Sequence, residues 1–600
     1  MPPKIANQGS GKTNTGPRAA ARWIRRLGIL ACCLMGGLAS VRSAEEMPNF
    51  LLLDYKGKAH ELHRADGKAV VLFFTELGCP IARKSVGKLR QVKEHFGNDV
   101  SVWMIDADAQ DDRDAVRKEA EELGIGEIPM LLDTRQALTL AFGVQRTAEV
   151  LALDTKDWTV IYRGAIDDQL TEGAEKPEAA HDYLQDALQA HFAGEPVNTP
   201  KTAARGCLIS FEKAPADPEQ AVSYSKEVAP ILESKCVTCH RNGDIGPFAF
   251  ASYHTAKRKA RMMEEVLLTQ RMPPFHADPH YGKFTDLPTL TTAEAQTLIR
   301  WVHQGAPQDS EADPLAKESA PPSEWPLGQP DYIIKLPHPE EIPATGVLDY
   351  RHIRIDSPVQ EDVWLGATVV KPGNRKVLHH CIVYAKFPGS GRDLGGDGIK
   401  ISGWSPGRLP ARLPEGTGIF LGKNAKLDIE LHYTTNGLAQ TDDTEIGLYV
   451  LHEKPPLAYK TGMALRLDFS IPANNAEAQT SATFEFTHDS TIYTFTPHMH
   501  VRGSWMNYEA LYPDGRRETL LAVPRYDFNW QTTYHLAEPI KVPAGTKIIC
   551  TGAFDNSTKN PWNPDPNKTV RWGQQSWDEM FIGYVGYSET PKESPKVTVN

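Results

Sequence analysis

Six side chains toward the C-terminus carry the clearest chemistry in the chain. They fall into two sets: His379, His380 and His432, and His498, His500 and Met580. Imidazole and thioether suit a copper ion that cycles between Cu(II) and Cu(I), and a mixed nitrogen and sulfur set points to redox work more than to a structural metal. Upstream, Cys236-Val237-Thr238-Cys239-His240 has the form of a c-type haem attachment. Its two cysteines can form thioethers to one porphyrin and place His240 beneath the iron. The chain therefore reads as one-electron carriers in series.

Taken singly, each element has a plainer reading. A lone His-His pair is usually surface or core, and a His-x-His is often a fragment of a zinc site. Met580 precedes the apolar run Phe581-Ile582-Gly583-Tyr584-Val585, where it could simply pack. Zinc at His498 and His500 is the competing metal. Residues i and i+2 of a strand share a face, so His498 and His500 can address one metal while Met499 points away. Adjacent His379 and His380 would point oppositely in an ideal strand. To share a metal they need a strand end or a bulge.

Around the haem motif, Gly246-Pro247-Phe248 and Arg271-Met272-Pro273-Pro274-Phe275-His276-Ala277-Asp278 follow in turn. This segment resembles a small class I cytochrome c domain. The resemblance implies Met272 as the sixth iron ligand, with His254, His276 and His280 as alternatives. Met262 and Met263 are assigned to a helix, as core or surface.

The C-terminal pieces Val377-Leu378-His379-His380, Glu430-Leu431-His432-Tyr433, Thr496-Pro497-His498-Met499-His500 and Asp578-Glu579-Met580 come in a telling order. Here the chain resembles the copper type II, ascorbate-dependent monooxygenases, the peptidylglycine α-hydroxylating and dopamine β-monooxygenase family. The resemblance implies an electron-accepting copper on His379, His380 and His432, and an oxygen-binding, catalytic copper on His498, His500 and Met580. It also implies C–H hydroxylation with O2 and electrons from an external donor such as ascorbate; the fused c-type haem motif, by its place in the same chain, suggests that the haem supplies them, from an ascorbate-like reductant or a c-type carrier. The substrate, small molecule or peptide, is not readable. The alternative is a periplasmic redox relay or sensor, or a peroxiredoxin-like thiol-disulfide protein, that binds haem and copper without hydroxylating. Tyr526-Asp527-Phe528-Asn529-Trp530-Gln531 and Asp555-Asn556-Ser557 resemble shared segments of bacterial relatives and are read as scaffold, not ligands.

The elements that must position these groups differ along the chain. Residues 46–195 alternate strand and helix signals: Val70-Val71-Leu72-Phe73-Phe74, a helical stretch from Ala82 to Phe96, then strand from Val100 to Ile105. Val150-Leu151-Ala152-Leu153 and Val160-Ile161-Tyr162 form a closing pair. Thr75-Glu76-Leu77-Gly78-Cys79-Pro80 and Arg163-Gly164-Ala165-Ile166-Asp167-Asp168-Gln169 resemble thioredoxin-like, peroxiredoxin-related redoxins. Cys79 would then sit at a helix N-terminus, where thiolate is favoured. Two features depart from that pattern. Cys79-Pro80-Ile81-Ala82 lacks the second cysteine of a CxxC, and Thr147-Ala148-Glu149 lacks the proline expected to face the thiol. A polar linker, 196–220, contains Cys207, either a distant partner for Cys79 or a small buried residue.

Residues 221–310 are helical, with a helix from Thr291 to Val302 and Thr292 as its N-cap. From 325 onward, short alternating segments between Gly, Pro, Asn and Asp clusters suggest two β-sandwiches, 325–458 and 459–600. The expected fold is thus multidomain: an α/β thioredoxin-like domain, a small all-α cytochrome c domain, and a C-terminal all-β pair of β-sandwiches, with two coppers and one covalent haem c.

Composition bounds the rest. The 600 residues carry 65 Lys and Arg against 76 Asp and Glu, a formal net charge of −11; with no basic excess, nucleic acid is not the expected partner. Arg22, Arg25 and Arg26 precede an apolar run from Leu27 to Val41 and small residues at Ser43 and Ala44, the pattern of a secretory signal over residues 1–44. Retention of that run as an anchor is the alternative. Export to a bacterial periplasm or outer face, with a mature chain that does not span the membrane, suits haem attachment. Beyond the signal remain Cys79, Cys207, Cys236, Cys239, Cys381 and Cys550, too dispersed for a disulfide framework. A Cys381–Cys550 bridge is left open.

Overall fold

The computed structural model describes residues 46–171, 174–212, 221–242, 244, 246–285, 289–317, 324–387, 398–405 and 410–590. The expected export signal lies outside them. No helix among the described residues is long and apolar enough to cross a membrane.

Strand Ala69–Thr75 is central to a seven-stranded sheet. It runs parallel to Val100–Asp106 and antiparallel to Val150–Asp154, which in turn pairs with Val160–Gly164. Side chains alternate across a strand, and here each face serves a separate core. Val71 and Phe73 pack with Val86 and Leu89 of helix Pro80–Phe96. Val70, Leu72 and Phe74 join Tyr224, Leu232 and Trp301 of the helical segment that follows. Burial on both faces explains the unbroken apolar run.

The helical segment contains Ala229–Lys235, Tyr253–Arg258, Ala260–Leu268 and Thr292–His303. The last helix is capped by Thr291, not Thr292. The Thr291 hydroxyl accepts from the Glu294 N–H while the Glu294 carboxylate accepts from the Thr291 N–H, a reciprocal pair set by the glutamate three positions on. Met263 is buried and Met262 exposed. The segment is not purely helical, because Phe284–Thr285 pairs with Leu536 and His535 at the edge of the C-terminal sheet. Residues 269–285 form a strap tied to both neighbours. Arg113 makes a buried, two-pronged ion pair with Asp278 at 2.7 and 3.0 Å, and the Asp278 N–H donates to the Ala522 carbonyl at 2.8 Å.

Beyond 324 the chain is β-rich. A nine-stranded sheet runs through the region, flanked by two four-stranded sheets. Strands Arg351–Asp356, Lys426–Tyr433, Leu378–Lys386 and Ile399–Trp404 form one of these and enclose one core; Ala478–Glu485, Lys547–Phe554, Gly503–Leu511 and Arg517–Val523 form the other and enclose a second. The halves join where Thr417–Leu421 pairs in parallel with Leu457–Leu465, so the expected division at 458 falls inside a strand. Cys381 belongs to one core and Cys550 to the other, and both are buried free thiols.

Candidate metal centre and thiol pair

His379 and His380 lie on Leu378–Lys386 beside His432 of Lys426–Tyr433. The register shifts between Leu378 and His380, leaving His379 unopposed while His380 faces His432 across the strands. That bulge turns adjacent imidazoles to one side. The His379–His432 and His380–His432 ring centroids are 5.0 and 4.8 Å apart, and the Nδ1 atoms of His379 and His380 are 3.1 Å apart. One nitrogen from each of the three rings lies within 4.8 Å of the others, and all three residues are buried.

His498 ends strand Ser490–His498, and His500 stands two residues on, with ring centroids 5.3 Å apart. His498 Nδ1 is 2.7 Å from the Gln531 side-chain oxygen, and His500 Nδ1 is 3.4 Å from the Asp578 carbonyl. Both contacts leave Nε2 for another partner. The buried carboxylate of Glu579 accepts the N–H groups of His500, at 2.8 Å, and Arg502, at 2.6 Å. That fixes the strand end against the chain leading into Met580. Met580 and His498 line one cavity of about 560 Å³, whose wall also holds Tyr350, Tyr384, Glu430, Leu465, Trp572 and Tyr584.

Burial pushes His379 and His498 down to about 4, His500 to about 3 and His432 to about 2, and holds His380 well below its ordinary value, with neighbouring imidazoles adding to the effect on His380, His432 and His500. All five are neutral at pH 7, with lone pairs free for a metal. His379 Nε2, His432 Nδ1 and His500 Nε2 are buried without hydrogen-bond partners among the described residues. Buried polar atoms are rarely left so, and a soft divalent or monovalent cation fits this donor set. The two sets are neighbours. Tyr350 lies 4.5 Å from His432 and 6.3 Å from His500, and Phe528 stacks on His379 at 4.9 Å and reaches His500 at 5.8 Å. Spacing along the chain did not point to Tyr350, which reaches both sets from a distant segment, and Glu579 stood in the motif before Met580 with no role assigned to it.

Cys236 caps the end of helix Ala229–Lys235, and Cys239 and His240 follow in the turn. His240 Nδ1 is 3.0 Å from the Phe248 carbonyl, which assigns the ring proton there and leaves Nε2 for iron, so the motif's residues fit a haem. Met272 is half-buried on the strap. Of its alternatives, His254 and His280 are exposed, while His276 is half-buried with its Nε2 shielded from solvent. Asp244, on the loop after His240, pairs with both Arg241 and Arg375, and Arg375 stands just before the strand bearing His379.

Cys79 precedes helix Pro80–Phe96 and is buried; Cys207 is exposed. Their sulfurs lie 3.7 Å apart, and the Thr147 hydroxyl is 3.0 Å from the Cys79 sulfur. Exposure removes the reading of Cys207 as a buried filler. Ala148, where a facing proline was expected, has φ +54°.

Residues 44–166 match the AhpC/TSA family, so the N-terminal part of the chain holds a thioredoxin-like domain. Similar solved structures include an uncharacterized conserved protein from Geobacillus kaustophilus (24% identity, 28% of this chain, 93% of that chain, TM-score 0.26). Another is the thioredoxin domain of a thiol-disulfide oxidoreductase from Bacteroides vulgatus (16% identity, 25% and 99% covered, TM-score 0.20). A third is a secreted disulfide oxidoreductase from Mycobacterium tuberculosis (19% identity, 24% and 95% covered, TM-score 0.19). No curated protein matches the chain.

Proposed function

We propose that this is an exported oxidoreductase whose C-terminal β-rich part is a two-copper monooxygenase, fed with electrons through a c-type haem on Cys236, Cys239 and His240, with Met272 as sixth ligand. One observation carries the reading: a buried, neutral all-histidine set that shares the Tyr350 ring with a second histidine pair, of which His498 lines with Met580 a cavity large enough for a small organic molecule. His379, His380 and His432 would hold one copper, and His498, His500 and Met580 the other. Bound there, copper would supply one-electron exchange and the reduction of O2. The net reaction is R–H + O2 + two electrons + two protons giving R–OH + water.

The chain's own residues do the rest. Gln531 and the Asp578 carbonyl fix the tautomers of His498 and His500. Glu579 holds His500 in place, and the aromatic walls at Tyr350, Trp572 and Tyr584 keep water off the reacting bond. The test is copper content, an optical haem spectrum and reductant-driven oxygen uptake on the mature protein. Two coppers, a low-spin haem band and uptake coupled to product support the reading. Copper-loaded protein that takes up no oxygen with any reductant or candidate substrate overturns it. A second reading, favoured by the thioredoxin-like match and the thiol pair, is a redox relay that carries electrons without hydroxylating.

A further inference from the structure

We propose that Cys79 and Cys207 form a reversible intrachain disulfide, and that thiol reductants open it by attacking Cys207, so that the helix-terminal cysteine is the inner, leaving partner. The inference concerns the thiols alone and holds under either reading above.

With both thiols free, the sulfurs are 3.7 Å apart, so bond formation needs a shift of under about 2 Å. The partners are 128 positions apart, but the fold has already brought them together. Residues 206–210 are not a loose tail. The Thr147 N–H donates to the Cys207 carbonyl at 2.9 Å, the Cys207 N–H to the Thr147 hydroxyl at 2.8 Å, and the Ile209 N–H to the Gln145 carbonyl at 3.0 Å. The Arg146 guanidinium donates to the Gly206 carbonyl at 2.8 Å, and the Ser210 N–H to the Glu76 carboxylate at 3.2 Å. Gly206 is required at its place, since a Cβ there would sit 2.1 Å from the Thr147 carbonyl oxygen. The missing second cysteine of a CxxC is thus replaced in space by one delivered on this segment.

The two sulfurs differ in reach and in chemistry. Cys79 is only 5% exposed. Burial pushes its thiol up, but hydrogen bonds from Thr147, Ala82 and Cys207 outweigh that and hold it below its ordinary value. Burial and the bond to Cys79 push Cys207 up. Exchange proceeds at the sulfur an incoming thiolate can reach, and the sulfur of lower pKa leaves faster. Both criteria select attack on Cys207. An incoming thiolate RS⁻ bonds to Cys207 Sγ, the Cys79–Cys207 bond breaks, and its electron pair leaves on Cys79. A second RS⁻ attacks the R sulfur of the mixed disulfide, releasing RSSR and the Cys207 thiolate. Two RSH are oxidised, and their two protons end on Cys79 and Cys207. Run in reverse, RSSR is the oxidant.

The test uses the mature protein and glutathione. After oxidation by oxidised glutathione, peptide mass mapping should recover Cys79 and Cys207 joined and two hydrogens lighter. Brief treatment of that form with limiting reduced glutathione, trapped in acid, should place glutathione on Cys207. Two outcomes overturn the proposal: both thiols still alkylated after oxidation, or glutathione trapped on Cys79.

Discussion

The Tyr350 ring stands edge-on to His432, with centroids 4.5 Å apart at 68°, and its buried hydroxyl has no hydrogen-bond partner among the described residues. Tyr350→Phe keeps the packing and removes a polar atom that burial penalises. It should therefore raise stability by about 1 kcal/mol. A thermal midpoint that falls instead would mean the hydroxyl is bonded in the folded protein.

Each histidine set should hold its own metal. His432→Ala and His500→Ala should each lose one copper of two by elemental analysis while leaving the haem band in place. Met580→Ile should retain copper at the all-histidine set and lose oxygen uptake by about tenfold or more. Full copper content in both histidine variants would remove these residues from the ligand set.

Glu579 satisfies two buried N–H groups, those of His500 at 2.8 Å and Arg502 at 2.6 Å. Glu579→Ala leaves both donors without an acceptor and should cost about 2–4 kcal/mol. Glu579→Gln keeps an acceptor oxygen and should cost clearly less in the same denaturant titration. Equal losses in the two variants would show that the acceptor role is not what matters.

The Arg113–Asp278 pair joins the thioredoxin-like domain to the strap, with side chains 8% and 1% exposed. Arg113→Ala strands a buried carboxylate and should cost about 3–5 kcal/mol. Adding Asp278→Asn should recover part of that loss. No recovery in the double variant would contradict a charge-driven penalty.

Acid should weaken the cluster on strand Lys426–Tyr433. Burial would raise the Asp428 carboxyl, but His352 at 3.1 Å and Lys386 at 3.1 Å outweigh it and hold it at about 2, against an ordinary 3.8. A depressed carboxyl stabilises above its unfolded value, and that contribution is lost as pH falls from about 4 through about 2. With solvent screening allowed for, it amounts to about 1–2 kcal/mol. Denaturant midpoints at pH 5 and pH 3 should therefore converge in Asp428→Asn relative to the parent. An unchanged difference would assign the acid sensitivity elsewhere.

Some of this was legible in residue order. Val70–Phe74 announced a doubly covered strand because its apolar run has no gap for solvent, and it lies buried on both faces. Two adjacent histidines sharing one side require a kinked register, and the shift at His379 supplies it. The cap is Thr291 where Thr292 is expected, because the two side chains are identical and only the reciprocal bonds with Glu294 distinguish them. Cys207 stood open as a distant partner for Cys79, and the 3.7 Å approach of the sulfurs favours that reading; Tyr350 and the bonds that Glu579 makes were beyond reach. Their roles arise from pairings between strands and loops far apart in the chain, where no local periodicity leaves a mark.

Because strand Ala69–Thr75 lends one flank to each of two interiors, excising residues 46–195 would not yield a tidy free-standing unit. Such a fragment would present Val70, Leu72, Phe74 and Trp103 as a greasy slab with nothing to lean on. Clumping at micromolar concentration is its expected fate, and whatever the N-terminal thiols do in the cell, they do while bolted to the helical segment that carries the Cys-x-x-Cys-His motif.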